Sequence, residues 1–392
     1  MRILIIHNHY QHPGGEDVVF KQECALLAGV AAVATLTFRN QPGWRGAWQT
    51  LWSPWNSWAG RQVSRAIRQH RPTVIHIHNL HYAIGPIAIR IAKRHGIPVV
   101  MTLHNYRLLC PSATLFFNGQ LFTDSLHARF PWKAIYLGVH SHSRLKTFWL
   151  ALTGWLHRIG GTWQQVNRYL ILTDFAKQCF IDSSFGVPAE KFVVKPNFVV
   201  DIPAPGATRG NYFLYIGRLT EEKGVRVLLE AFTGTGYELR IAGNGPLLNE
   251  VLRAAEQQPE IHYLGTRSPE EIRGELAVCS ALVFPSIWYE GMPMTLLEAF
   301  ATGTPVIASN LGAMATMIRH GENGWLFPPA NAQELRKQVT DWLATDQAYR
   351  AAIGRQARHC FEQHYTESAN RTLLMEVYRE VMASDRRPEH GE

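Results

Sequence analysis

The fold of this chain is constrained most tightly by residues 281–309. An apolar run, Ala281-Leu-Val-Phe-Pro285, leads through a loop containing Glu290-Gly291-Met-Pro293 into Met294-Thr295-Leu296-Leu-Glu298-Ala-Phe-Ala-Thr-Gly303, and a second apolar run follows, Pro305-Val-Ile-Ala-Ser309. Short apolar runs on either side of a helix-length segment read as buried parallel strands joined by a helix. Pro293 suits the first turn of that helix, and Gly303 the position just past its end. A helix N-terminus behind such a loop offers unpaired N–H groups and a positive dipole end to an anion, typically a phosphate. Two carboxylates bracket the site, Glu290 in the loop and Glu298 within the helix. A carboxylate beside a phosphate needs another task, and accepting hydrogen bonds from sugar hydroxyls is the natural one. Phosphate plus two polyol-reading acids points to a nucleotide-sugar site.

The same strand–loop–helix device recurs. Strand Tyr212–Ile216 runs into Gly217-Arg218-Leu-Thr-Glu-Glu-Lys223-Gly224 and a helix over 225–232. That turn presents an arginine, a bidentate phosphate ligand, and a lysine, a point charge, over the carboxyl end of a strand. Strand 238–242 enters the tight loop Gly243-Asn244-Gly245-Pro246, strand 261–264 ends at Gly265, and Ser268-Pro-Glu-Glu271 is a capping box. Helices are expected over 331–344 and 347–384, with a frayed tail from 385. In the first half, strand 2–7 passes through Pro13-Gly14-Gly15 into a helix over 16–28, a unit that brings backbone close to a ligand phosphate or sugar. Strands over 31–37, 73–78, 97–103 and 169–173 alternate with helices over 57–69, 84–95 and 174–184. The fold class is therefore α/β, with two Rossmann-like, doubly wound parallel-sheet domains. The first spans 1–196, a Pro/Gly-rich linker 197–210 and the second 211–370, with 371–392 holding a helix that returns toward the first domain and the frayed tail.

Two stretches break the alternation. Trp44, Trp48, Trp52, Trp55 and Trp58 recur at helical spacing among Arg39, Arg45, Arg61, Arg65 and Arg68, although Gly43 and Pro54 argue against one continuous helix. Aromatic stripes at this spacing usually form core; with arginines around them they also suit a membrane interface. Residues 104–163 are aromatic and basic, and their apolar run 147–156 is too short to span a bilayer, so it reads as a buried helix or as a cover for a hydrophobic acceptor. Charge is split: residues 1–200 hold 21 Lys+Arg against 7 Asp+Glu, and residues 201–392 hold 18 against 24. The basic half suggests an anionic contact, with nucleic acid, an anionic leaflet and solvated surface arginines all open. Five scattered cysteines without C-x-x-C spacing suit a reducing cytoplasm, and the N-terminus reads as a strand rather than a signal peptide. His76, His78 and His81 invite a metal reading, but no carboxylate neighbours them in sequence, which favours strand packing.

Gly217-Arg218 with Lys223-Gly224, Gly243-Asn244-Gly245-Pro246, Glu290 eight residues before Glu298, Pro196-Asn197, Gly14-Gly15 and Thr102-Leu-His104-Asn, in this order, resemble the retaining GT-B glycosyltransferases of glycosyltransferase family 4, of the bacterial polysaccharide and O-antigen type. The resemblance covers most of the chain and is strongest over 211–330. It implies two Rossmann-like domains facing each other across a cleft. It implies that Arg218 and Lys223 hold the donor diphosphate and neutralise the leaving group without a metal. It also implies that Glu298 binds the ribose, Glu290 the donor sugar, and amides near Met294, Thr295 and Leu296 the phosphates. Gly14, Gly15, Gly217, Asn244, Gly265 and Gly291 would border the donor, and His104 would sit beside its sugar. The absence of any D-x-D sequence independently argues against a chelated divalent ion, so no cofactor or metal is expected. One departure stands out. Related sequences follow the H-N-Y-R-L-L-C-P motif, present here as 104–111, with an N-G or D-G turn and then C-x-x-C; here Phe122-Thr-Asp-Ser125 replaces that pair.

The expected activity is transfer of a hexose, with retention, from a UDP- or GDP-sugar to a lipid-linked saccharide in bacterial surface polysaccharide (lipopolysaccharide-type) synthesis. The leaving phosphate would take the acceptor's proton. The expected partners are that donor and acceptor and an anionic membrane surface, without nucleic acid, for a cytoplasmic protein able to sit on the inner face of the cell membrane. Two alternatives remain open at this stage. One is a GT-B-fold nucleotide-sugar 2-epimerase. The other is a membrane- or nucleic-acid-binding protein on a decayed transferase scaffold.

Overall fold

The computed structural model of the protein describes residues 1–11, 14–201 and 209–384. Pro13 of the glycine loop, residues 202–208 of the expected linker and the tail from 385 lie outside the described residues. The chain divides into two compact units, one of Met1–Thr114, Thr123–Pro196 and Asn370 onward, the other of Leu115–Phe122 and Asn197–Ala369.

In the first unit the strands are β1 (Arg2–His9), β2 (Ala32–Arg39), β3 (Val74–Ile77) and β4 (Val99–Leu103). A short hairpin, β5 (Phe116–Phe117) and β6 (Gln120–Leu121), belongs to the second unit; its Asn118-Gly119 tip has φ of 49° and 76°, the positive values that a two-residue hairpin turn needs. β7 (Arg168–Ile171) and β8 (Phe192–Val194) complete a six-stranded sheet of order β2-β1-β3-β4-β7-β8, parallel throughout. β3 and β4 are buried along their whole length, as strands covered on both faces by crossover helices must be. The C-terminal stretch is two helices, Gln347–His364 and Glu367–Ser384, because Thr366 Oγ1 accepts the Ala369 N–H and restarts the helix. The second of these lays Leu374, Val377, Tyr378 and Val381 on Ile3, Val74, Val100 and Leu170.

The tryptophan stretch forms a helix, Gly43–Trp52, a single 3₁₀ turn containing Pro54, and the start of helix Ser57–His70. All five indoles are at least half exposed, and helix Gly43–Trp52 buries none of its residues, so the core role suggested by the spacing is not realised. Underneath lies helix Arg144–Ile159. Its Trp149 Nε1 donates to Thr50 O at 2.7 Å, and its His157 bonds Pro54 O and stacks on Trp55. That helix buries Thr147, Ala151, Thr153 and His157 while leaving Leu145 and Ile159 exposed, so it is half-buried rather than internal.

The second unit holds β9 (Phe213–Ile216), β10 (Leu239–Ala242), β11 (Ile261–Gly265), β12 (Ala281–Phe284), β13 (Val306–Ser309) and β14 (Trp325–Phe327), parallel in the order β11-β10-β9-β12-β13-β14. Its core joins Phe213, Phe232, Ile241 and Val283 to Trp325, Leu335 and Trp342. Loops at the carboxyl ends of β9, β10 and β11 are laced by backbone: Gly217 N donates to Ala242 O, Leu219 N to Asn244 O, and Gly243 N to Gly265 O. Gly243 has φ of 143°, and a Cβ there would lie 1.9 Å from Gly217 O. Gly243→Ala is therefore expected to lower stability by roughly 2 kcal/mol or more, read as a shifted urea midpoint; an unchanged midpoint would show that the loops separate freely.

Candidate functional site

An open parallel sheet binds ligands at the carboxyl ends of its strands, where crossovers diverge. In the second unit that place lies between β9 and β12. The loop after β9 carries Gly217, Arg218 and Lys223; the loop after β12 carries Ser286, Trp288, Glu290 and Gly291. Lys223 Nζ donates to both Glu290 oxygens, at 2.7 and 3.0 Å, and sits 5.5 Å from the Trp288 ring centre. Ser286 Oγ and Trp288 Nε1 donate to the same carboxylate, which is 4 % exposed. The residues assigned separately to diphosphate and sugar are thus paired with each other. Ser286 and Trp288 were not singled out from the sequence; the available signal was their spacing of two and four before Glu290, which puts alternate side chains of an extended segment on one side. Arg218 is largely exposed and touches Glu222 at 3.3 Å.

Helix Met294–Ala301 starts after Pro293, which occupies the N-cap. Leu296 N donates to Pro293 O, leaving the Met294 and Thr295 amides as the ones helix geometry leaves open. Of the three amides expected to meet phosphate, Leu296 is therefore already engaged. Glu298 is half-buried, and its carboxylate has no protein hydrogen-bond partner among the described residues; burial raises its pKa, with Arg273 opposing. Asn244 is exposed and accepts from the Gly245 amide at 2.7 Å, while Gly265 has φ of 79° with open space around its Cα.

In the first unit Gly14 and Gly15 are exposed, and nothing lies within 4 Å of a Cβ built on either. Asp17 anchors this loop: one oxygen accepts Gly14 N at 3.0 Å, the other faces His7 Nε2 and His9 Nδ1. Burial pushes Asp17 upward, but the hydrogen bonds from His7, Gly14 and His9 outweigh it and hold the carboxyl below its usual range. Glu16 accepts from Asn105 Nδ2 at 2.6 Å and, through burial, is raised to about 7. Asn105 and Arg107 belong to the motif over 104–111, and Arg107 Nη1 reaches Tyr82 OH at 3.1 Å. Glu16 was missed as a site residue because only the fold brings it to Asn105.

His104 follows β4, and its Nε2 lies 3.2 Å from His78 Nδ1, with the two rings stacked. Burial, reinforced by His78, lowers the His104 pKa well below 6.5. The view that His76 and His78 lack a carboxylate is corrected. Glu23, from helix Gly15–Ala28, places Oε2 3.3 Å from His78 Nε2 and 3.8 Å from His76 Nδ1, and ion-pairs with buried Lys195. Burial would raise Glu23; Lys195 and the histidines overcome it and hold the carboxyl well below its usual range. Two groups, His7/His9/Asp17 and Glu23/His76/His78, gather atoms able to ligate a metal. In both, the carboxylate is already engaged, by the imidazoles and Gly14 in one and by the Lys195 ammonium in the other.

Comparison with known proteins agrees with this layout. Residues 37–201 match the Glycosyltransferase Family 4 model and residues 202–359 the Glycosyl transferases group 1 model. D-rhamnosyltransferase WbpZ of Pseudomonas aeruginosa is 34% identical over 40% of this chain and 42% of its own length. The putative colanic acid biosynthesis glycosyltransferase WcaL of Salmonella typhimurium is 29% identical over 48% of this chain and 52% of its own. The chain thus spans about half the length of these curated relatives. The crystal structure of Anabaena HepE with UDP and glucose superposes with a TM-score of 0.67 at 19% identity, covering 97% of this chain and all of that one.

The Glu16 shift gives a pH test. Between pH 4.5 and 7 the unfolded chain releases this proton before the folded one does, so the contribution of Glu16 to stability falls as pH rises through that window. Glu16→Gln should therefore gain in melting temperature relative to the parent protein across that window; a constant difference would place Glu16 in water.

Proposed function

The chain belongs to the glycosyltransferases that join a Family 4 domain to a group 1 domain, and has their GT-B fold; from that premise we propose that it moves a hexose from a UDP- or GDP-sugar to a lipid-linked saccharide during bacterial surface polysaccharide synthesis. The observation that carries the reading is the Lys223–Glu290 pair; on the helix that follows this loop, the half-buried Glu298 carboxylate has no protein hydrogen-bond partner among the described residues. An unpartnered, partly desolvated carboxylate calls for hydroxyl donors, which a ribose supplies. When a diphosphate arrives, Lys223 exchanges a carboxylate for phosphate oxygens, and exposed Arg218 closes on the same charge. Glu290 keeps Ser286 and Trp288 as donors, which hold its orientation while its freed oxygen accepts from a sugar hydroxyl.

Fixed cations at the diphosphate stabilise charge as it develops on the leaving group, the role a metal plays elsewhere. Gly14, Gly15, Gly217, Asn244, Gly265 and Gly291 would let backbone approach the donor, with the Met294 and Thr295 amides on its phosphates. His104 would meet a substrate hydroxyl. Retention follows if the leaving phosphate, rather than a protein base, takes the acceptor's proton. The relatives named above are transferases, which favours transfer over 2-epimerisation.

The acceptor's lipid end gives the exposed tryptophans a task. Large exposed apolar patches mark contact surfaces, and indoles flanked by arginine suit the headgroup layer of an anionic bilayer. Arg45 lies 5.5 Å from the Trp44 ring centre and Arg144 4.7 Å from that of Tyr136, which is also exposed. No helix among the described residues is long and apolar enough to cross a membrane. The contact would be peripheral, on the cytoplasmic face.

Arg218→Ala and Glu290→Ala, assayed with whichever UDP- or GDP-sugar raises the melting point, should each raise the transfer barrier by roughly 2–4 kcal/mol. Near-parental turnover in both variants would sink the site assignment. A Trp48→Ser/Trp52→Ser variant should lose most retention on vesicles of anionic phospholipid at low salt with its fold unchanged; equal retention in variant and parent removes the membrane contact.

A further inference from the structure

The buried cluster under His104 has one carboxylate, Glu23, and one ammonium, Lys195, which pair directly. Burial lowers the pKa of His76 and His104 and leaves them neutral, and because the Glu23 and Lys195 charges balance, a further buried cation in the cluster would stand uncompensated. A neutral imidazole carries one N–H and one acceptor nitrogen, and its partners decide which is which. His76 is saturated by hydroxyls, Thr102 Oγ1 at 2.7 Å on Nε2 and Tyr378 OH at 2.7 Å on Nδ1. Glu23 Oε2 is therefore left to face His78 Nε2, 3.3 Å away, a charge contact short of hydrogen-bond geometry, and neither atom is hydrogen-bonded elsewhere among the described residues. An ionised carboxylate only accepts, so His78 carries its hydrogen on Nε2, and its Nδ1 must accept. The group 3.2 Å from that Nδ1 is His104 Nε2, which must then donate. His104 Nδ1 remains as a lone pair without a protein partner among the described residues.

We propose that Glu23, acting through His78, fixes His104 as the Nε2–H tautomer and so presents its Nδ1 as a hydrogen-bond acceptor for a substrate hydroxyl. Glu23 and His78 are positioning residues, and Lys195 keeps the carboxylate ionised so that the direction of the chain cannot reverse. The inference rests on the reading that His104 meets substrate, and it deepens that reading by giving the contact a direction. His104 receives a hydrogen from a hydroxyl rather than donating one to a ring or phosphate oxygen. A deoxy sugar lacking that hydroxyl would lose the contact, whereas a methyl ether in its place would meet a lone pair.

The test is heteronuclear NMR of the full chain labelled with ¹⁵N-histidine, in which the two tautomers have distinct nitrogen shift patterns, with His104 assigned from its disappearance in His104→Gln. The parent protein should show a single Nε2–H pattern for His104. In the charge-balanced Glu23→Gln/Lys195→Met variant, and independently in His78→Phe, that pattern should become a mixture, with turnover falling roughly tenfold or more as in other enzymes that lose a tautomer-setting acid. A parental His104 protonated on Nδ1, or a pattern that neither variant moves, overturns the proposal. If the pattern shifts as expected while His104→Gln transfers sugar at the parental rate, the relay stands and the assignment of His104 to substrate falls.

Discussion

A parallel strand cannot turn straight back into its neighbour, and the rest of this molecule follows from that constraint. Each crossover returns the chain to the same edge of the sheet, so every loop at the carboxyl ends gathers on one side. Where crossovers diverge, two loops part and leave room for a ligand. In the second unit these are the loops after β9 and β12, and the Lys223–Glu290 pair spans them. In the first unit the divergence falls between β1 and β3. The loop after β1 carries Gly14 and Gly15, and His78 follows β3 immediately.

The two units solve the same electrostatic problem in different ways. Glu23 is fully buried and bound to Lys195, a pair whose breakage costs on the order of 3–5 kcal/mol. Such a pair is suited to holding orientation, not to exchanging partners. In the second unit Glu290 is buried but its partner Lys223 is partly exposed, so the pair opens to solvent on the lysine side. Their attraction is weaker there, and in the proposed function an incoming diphosphate would offer the lysine more charge than the carboxylate does. A deep pair that stays fixed and a shallow one that can be displaced are what positioning and binding respectively require.

Legibility in the sequence followed the range of the interactions. Both sheets, the crossover helices and the capping box at Ser268 depend on residues close together in the chain, and the local pattern reveals them. Gly243 and Gly245 read as a tight turn for the same reason. Contacts between distant segments were not visible: Glu23 meets Lys195 across 172 residues, and Glu16 meets Asn105 across 89. β8 and β14, three residues each, are too short to show periodicity against the base of a loop. Leu296 could not be separated from Met294 and Thr295 as a free amide, because a carbonyl at the helix start decides it.

The tryptophans show why periodicity alone does not settle burial. A helical stripe establishes that side chains share a face; it does not say what the face meets. Here helix Gly43–Trp52 is attached through backbone carbonyls, Thr50 O to Trp149 and, just beyond its end, Pro54 O to His157. Polar anchoring at its C-terminal end frees the apolar face from packing duty. A helix held by its core face must bury that face, whereas one held by polar bonds, among them those of Gln49 to Gln41 and Arg39, and by a stacked imidazole can turn its indoles outward. Exposed indoles cost solubility, so a chain that arranges them this way gains only if something apolar covers them. On the proposed function, one outward face would then serve both the membrane contact and the choice of a lipid-linked acceptor.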